Sequence, residues 1–248
     1  MPLLPGLFER LAVRFNKAPA PLLDVYSAVG FRILLAGVRL GVFPALAKSP
    51  LSARELARAL GTDERGTELL LETLEALGYV EQRGALYVNT AAAASWLSGK
   101  GDADFSPYLR YWGTALAERW HDLEDSIRRG GGADNLYQWL ERRPQASSDF
   151  QEGLVAIARV MSAEVARKLK LPSSAKRVLD VGGGHGMYAI ALCRAHPNLS
   201  AVVFLGGRVY RYEDVAGWLT ATGFRNITRT DLLLSSGNCL VVGEKAAA

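Results

Sequence analysis

The nine residues Val178-Leu179-Asp180-Val181-Gly182-Gly183-Gly184-His185-Gly186 constrain this chain more than any other stretch. A short run rich in β-branched residues enters a cluster of glycines, and Met187 to Ala195 then carries apolar residues at helical spacing. That order predicts a strand over Arg177 to Val181 that turns through a tight loop into a helix. Pro197-Asn198 breaks the helix, and Leu199 to Phe204 is a second apolar strand. Two strands joined through a helix form a βαβ-like unit, so a parallel pair is expected. Further on, Glu213 to Ala221 reads as a helix stopped by Gly223. Ile227 to Leu234 and Cys239 to Glu244 read as closing strands joined by the turn Ser235-Ser236-Gly237-Asn238.

Glycine is needed where backbone takes positive φ or lies close to a ligand. Gly182, Gly184 and Gly186 give G-x-G-x-G, whereas a dinucleotide fingerprint places its third glycine one residue later, where Met187 stands. A phosphate loop fits no better, because no G-K-[ST] follows and no lysine lies between Lys176 and Lys245. Asp180, two residues before the first glycine, repels a phosphate and attracts a cation. S-adenosylmethionine offers an ammonium and a sulfonium to such a carboxylate, with its adenosine and methionine tail lying against the glycine backbone. The alternative is a strand-to-helix turn that holds no ligand.

The first half of the chain reads differently. Ser52 and Glu55 form a capping box ahead of a helix from Ala53 to Leu60, which Gly61 ends. A second helix starts after Thr62 or Asp63, with Leu70, Leu74 and Leu77 on one face and Gly78 as its stop. Tyr79 to Gln82, a turn at Gly84, and Leu86 to Val88 make a short hairpin. Helix, helix, hairpin is the winged-helix order. Residues 102–170 are mostly helical, broken by a loop at Gly130 to Gly132, and a helix from Phe150 to Leu169 ends before Pro172. Phe150, Met161 and Trp112 fall at helical spacing, a pattern that marks core more often than a pocket wall.

Several classes are disfavoured. The longest apolar region, Val25 to Ala47, is interrupted by Arg32 and Arg39 and falls short of a membrane span of ~20 apolar residues. No charged leader with a clean apolar run opens the chain, so a cytoplasmic location is expected. Cys193 and Cys239 have no partners at metal-ligand spacing, so neither a disulfide framework nor a metal site is expected. In the winged-helix reading the helix over Asp63 to Leu77 would meet DNA, yet it carries Asp63, Glu64, Glu68, Glu72 and Glu75 against Arg65 alone. That charge opposes a phosphate backbone, and the net +4 of the whole chain does not change it. The apolar stretches Phe31 to Leu40 and Leu69 to Leu77 suit a homodimer face, with the chain's own core as the alternative.

The loop Val178 to Gly186 resembles the cofactor loop of the plant caffeate-type and bacterial polyketide-tailoring O-methyltransferases. Ser52 to Val88 is similar to their N-terminal winged-helix dimerisation region, and Phe150 to Val165 to the helix leading toward their substrate pocket. Gly206-Gly207-Arg208-Val209-Tyr210, Trp218-Leu219 and Ala221-Thr222-Gly223-Phe224 resemble their C-terminal end. The resemblance implies an α/β fold with an α-rich N-terminal half, a winged-helix dimerisation domain followed by a truncated Rossmann-like sheet. It divides the chain into a dimerisation domain over 1–100, a helical connector over 101–172 and an S-adenosylmethionine-binding domain over 173–248. Asp180, Gly182, Gly183, Gly184, His185 and Gly186 are the cofactor-binding residues it implies. The implied function is methyl transfer to a hydroxyl of a small aromatic or polyketide-like molecule by a homodimer, without nucleic acid or membrane.

The chain also departs from that family. Where the second strand should end in a carboxylate for the ribose, it has Phe204-Leu205-Gly206, and the next acid is Glu213. The family's three further strands hold its catalytic histidine, but only 72 residues run from Arg177 to Ala248, too few for a full doubly wound domain at ~30 residues per unit. Of the three histidines, His121 lies beside Asp122 in the helical half, His185 sits in the glycine loop where it can touch cofactor, and His196 closes a helix before Pro197. No catalytic base is assigned. A reduced sheet of four strands is expected, with Cys239 to Glu244 beside Arg177 to Val181 to cover the exposed edge. A non-catalytic relative that keeps the dimerisation module is the second functional expectation, and a winged-helix regulator a remote third.

Overall fold

The computed structural model describes residues 15, 19–100, 103–132, 134–172, 174–204, 212–231 and 239–245. The resembling segment Gly206 to Tyr210, the turn Ser235 to Asn238 and the alanine tail lie outside the described residues. The chain divides into two compact units, Met1–Ala156 and Ile157–Ala248.

The first unit is built on α1 (Pro21–Leu40). Gly41 ends it with φ of 82° and starts α2 (Val42–Leu46). The next helix, α3 (Ala53–Leu60), opens with the expected capping box: the Ser52 hydroxyl accepts from the Glu55 amide at 3.3 Å while the Ser52 amide donates to Glu55 Oε2 at 2.8 Å. In α4 (Glu64–Ala76) the Asp63 carboxylate caps the Gly66 amide at 2.8 Å. The hairpin follows as β1 (Val80–Arg83) and β2 (Leu86–Asn89), antiparallel, with Leu51 bridged to Tyr87 as a short third rung. Strand β1 lies one residue later than expected, because the Gly78 and Tyr79 amides still bond back to the last turn of α4, while β2 starts at Leu86 as expected and runs one residue further.

Leu34, Val38, Val42, Phe43, Leu56, Leu71, Leu74 and Val80 pack into one core. Leu34, Leu35, Gly37 and Val38 of the first expected dimer stretch, and Leu71 and Leu74 of the second, are therefore interior to the chain, while Leu40 and Leu69 stay exposed, so only part of Phe31 to Leu40 and Leu69 to Leu77 is open to a partner. The exposed apolar residues of this region are Leu22, Val25, Tyr26 and Val29 on the first half of α1, with Leu40 and Leu69. Length and composition alone would let α1 cross a membrane, but its second half supplies Leu34, Leu35 and Val38 to the core.

Beyond α5 (Ala91–Trp96), the helices α6 (Ser106–Glu118), α7 (Leu123–Arg129), α8 (Leu136–Glu141) and α9 (Pro144–Lys168) follow. The loop at Gly130 is present, with φ of 75°. A second cluster gathers Tyr111, Ala115, Trp139, Leu140 and Ala146, with Trp112 and Phe150 against it. Trp112 and Phe150, partly buried, thus pack against this core. The α9 helix begins six residues earlier than expected, since Pro144 suits a first helical turn where no amide is required.

In the second unit, β3 (Arg177–Val181) and β4 (Ser200–Phe204) pair in parallel from Arg177↔Ser200 to Val181↔Phe204, joined by α10 (Met187–Ala195). Next come α11 (Tyr212–Ala221), β5 (Phe224–Asp231) and β6 (Cys239–Lys245). Strand β5 starts three residues ahead of the expected Ile227. Its antiparallel ladder with β6 runs from Phe224↔Lys245 to Asp231↔Cys239, with an irregularity between Arg225 and Thr228.

The four-stranded sheet is not formed. Strand β6 pairs with β5, and β3 pairs with β4 alone among the described residues. The physical reason is local: closing a hairpin costs less loop entropy than carrying β6 to a remote edge, and α11 packs on both hairpin strands.

Candidate cofactor site at the glycine loop

Asp180 is the fourth residue of β3, and the turn begins two residues after it. Gly182, Gly184 and Gly186 all take left-handed backbone, with φ of 74°, 47° and 69°, a conformation other residues rarely adopt. Gly183 is needed for a different reason. A Cβ there would lie 2.5 Å from Asp180 Oδ2 and 2.7 Å from Val203 Cγ1, so the loop folds back directly over the carboxylate. At Gly184 a Cβ would meet nothing within 4 Å, so the crest of the loop faces open space. The turn is tied by the Gly186 amide donating to the Gly183 carbonyl at 2.8 Å, and α10 begins with the Ile190 amide on the Gly186 carbonyl at 2.9 Å.

Burial pushes the Asp180 carboxyl above its ordinary range, and a positive charge on His185, when that ring is protonated, works the other way. Its Oδ2 is buried with no hydrogen-bond partner. An acceptor shut off from water without a donor costs free energy, and a cationic donor arriving over the loop would relieve it. The Tyr188 hydroxyl, on the first turn of α10, is raised by burial and then by the negative charge of Asp180. Its ring lies 6.1 Å from that of His185. His185 Nδ1 accepts from the Met187 amide at 3.2 Å.

The structure therefore gathers Asp180, Gly182, Gly183, Gly184, His185 and Gly186 at one place, and it adds Tyr188, which sequence reasoning missed. The available signal was position, since Tyr188 falls on the first turn of the helix that the loop feeds. An open groove of about 460 Å³ beside the loop is lined by Gly186, by Ala189, Ile190, Cys193 and Arg194 of α10 and by Ala201 and Val203 of β4. It is apolar apart from Arg194 and does not include Asp180. Strand β4 ends at Phe204, and the segment 205–211 after it lies outside the described residues.

The other histidines stand apart from this loop in chain and chemistry. The His121 ring lies 2.9 Å from the Glu118 carbonyl oxygen, while Asp122 pairs with Arg129 at 3.5 Å, so no His121–Asp122 couple forms. His196 is the exposed C-cap of α10. Among the described residues no three of His, Cys, Asp and Glu gather as metal ligands.

Residues 25–99 match the O-methyltransferase dimerisation domain, and residues 120–210 match the O-methyltransferase domain. The 3-hydroxy-5-methyl-1-naphthoate 3-O-methyltransferase of Streptomyces sahachiroi is 34% identical over 68% of this chain and 50% of its own length. The O-demethylpuromycin-O-methyltransferase of Streptomyces alboniger is 28% identical over 86% of this chain and 58% of its own. Human N-acetylserotonin methyltransferase, solved in complex with S-adenosylmethionine, superposes with a TM-score of 0.64 at 28% identity, covering 74% of this chain and 58% of that one. The chain thus spans about half the length of the curated relatives it matches. With a dimerisation domain followed by a methyltransferase domain, the chain belongs to the family of small-molecule O-methyltransferases.

Proposed function

We propose that this chain binds S-adenosylmethionine at the glycine loop and transfers its methyl group to a hydroxyl of a small aromatic or polyketide-like molecule. The observation that carries the reading is the partnerless Asp180 Oδ2 beneath three left-handed glycines. The cofactor, when bound, supplies an electrophilic methyl on a sulfonium. Asp180 receives a positive group of the cofactor, with a charge-assisted hydrogen bond as the stabilising contact. Gly182, Gly184 and Gly186 let backbone lie against the ligand, and Gly183 keeps Asp180 covered from water. Alignment of donor and acceptor supplies much of the rate of such a transfer. The residue that takes the hydroxyl proton is left unassigned.

The same reading gives the chain three parts, a dimerisation domain over 1–100, a helical connector over 101–172 and a cofactor-binding domain over 173–248. The helix, helix, hairpin order of α3, α4, β1 and β2 supports a winged-helix form for the first, in a homodimer that acts in the cytoplasm. Like relatives that methylate a naphthoate or a puromycin precursor, the chain would take a small hydroxylated substrate.

The alternative reading is a non-catalytic relative that keeps the dimerisation module. Leu179 and Val202, register partners on β3 and β4, are 62% and 60% exposed, whereas parallel strands in complete domains are covered on both faces.

Isothermal titration of S-adenosylmethionine into the purified chain separates the two. Saturable binding that Gly184→Asp abolishes supports the enzyme reading, because that side chain enters the open space over the loop and sets a second carboxylate in the ligand's place. A folded protein that binds nothing leaves the non-catalytic reading.

A further inference from the structure

A helix begins with four amides that have no intrahelical acceptor. In α10 the N-cap position is Gly186, which has no side chain to offer. The first of those amides, Met187 N–H, is instead met by His185 Nδ1 at 3.2 Å. A backbone amide only donates, so Nδ1 holds a lone pair and the imidazole is neutral, with its proton on Nε2. The bond closes the loop from the far side: Gly186 bonds back to Gly183, and Met187 to His185.

We propose that His185 is a positioning residue of the glycine loop, whose neutral ring caps the first amide of α10 and holds Gly182 to Gly186 open over Asp180. The inference rests on reading the loop as the cofactor site. Protonation turns the acceptor into a second donor facing Met187 N–H, and it sets a positive charge at the positive end of the α10 dipole. The cap is then lost and the loop relaxes, so cofactor binding weakens as the ring takes up its proton.

Among the described residues, Asp180 of strand β3 carries a negative charge that favours the protonated ring and so works against the cap. Helix α10 contributes Tyr188, its ring 6.1 Å away, which stays neutral as His185 titrates. Val203 of strand β4, beside Gly183 and Gly186, is apolar.

The test compares the chain with His185→Asn and His185→Ala. An asparagine oxygen accepts from an amide two residues on and does not titrate, whereas alanine leaves the amide bare. S-adenosylmethionine affinity is measured by isothermal titration at several values between pH 5.5 and 8. The parent chain should lose about fivefold in affinity across that range, the size expected for one capping bond. His185→Asn should lack this loss, and His185→Ala should bind about fivefold more weakly than His185→Asn at every pH. Any drop shared by all three belongs to Asp180. Parallel profiles for the parent and His185→Asn would overturn the proposal.

Amide exchange at Met187, followed at fixed pH without cofactor, gives an independent readout. Slow exchange in the parent and His185→Asn but fast exchange in His185→Ala supports the cap, and equal exchange in all three overturns it. If none of the proteins binds cofactor at any pH, the cofactor reading falls while the exchange data still decide the role of His185.

Discussion

The helices around Phe43 and the strands beneath the glycine loop are both rich in Val and Leu, yet they bury these residues to different degrees. Among the described residues, every large side chain that is fully buried lies between Leu35 and Val80. In the second unit the interior is made of smaller or less enclosed groups, such as Ala158, Met161, Ala189 and Leu192, while Leu179, Val202, Ile190 and Trp218 stand exposed. A helical bundle with a hairpin closes its core from elements adjacent in sequence. A parallel pair needs further strands and helices on its flanks, and among the described residues this pair is packed by α10 and has no third strand.

The largest effect that sharpens this contrast is Phe43→Ala. The ring is fully buried, so the loss should be about 3–5 kcal/mol in urea unfolding, from transfer and residual cavity together. A loss under ~1 kcal/mol would show that the first unit is not the stable half.

Gly113→Ala tests the same core by overfilling it. A Cβ at Gly113 would sit 2.2 Å from Leu35 Cδ2, so α1 and α6 approach through that glycine. Destabilisation of about 1–3 kcal/mol is expected. Combining it with Leu35→Ala should cost less than the sum of the two, because the added methyl then enters space that Leu35 vacated. Strict additivity would mean that the two residues do not share a contact.

How far the sequence carried this picture follows the same division. Ser52 with Glu55, Asp63 before its helix, Gly61 and Gly78 after theirs, and the run from Val178 into Gly186 are signals read over three to nine residues, and each marks an element the structure contains. The partner of β6 is a different kind of question. Cys239 to Lys245 is as fit to join β3 as β5 on its own residues, and loop length decides between them. Likewise Leu71 and Leu74 show an apolar face without saying whether it meets the chain's own α1 or a second copy. In the candidate site the glycines and Asp180 stood out. The covering role of Gly183 and the His185 cap did not, because both depend on how the loop folds back in space.

Asp180 turns the contrast from stability to function. Its carboxyl is raised by burial, so between the ordinary carboxylate range and that raised value the folded chain holds a proton that the unfolded chain has released. Stability is therefore fully present below the window and falls as pH rises through it. Asp180→Asn should remove that slope together with the cost of holding a charge away from water, a gain of about 1 kcal/mol at neutral pH, seen as a melting temperature about 2–4 °C higher. The same variant should lose S-adenosylmethionine binding. A variant that melts lower, or one whose pH slope is unchanged, would show that Asp180 is satisfied in the free chain.

The smallest expected effect bears on the comparison most directly. Leu179 is 62% exposed, and its register partner Val202 is exposed to a similar degree, so little apolar area is lost when either becomes polar. Leu179→Ser should change stability by no more than about 0.5 kcal/mol, the usual range for surface positions, and it should reduce binding of a hydrophobic dye, since two adjacent apolar side chains form the patch. Phe43→Ala and Leu179→Ser both remove large apolar side chains, so their ratio measures burial with composition held nearly fixed. If Leu179→Ser instead cost ~2 kcal/mol or more, that face of β3 and β4 would be covered in solution, and the second unit would have a core comparable with the first.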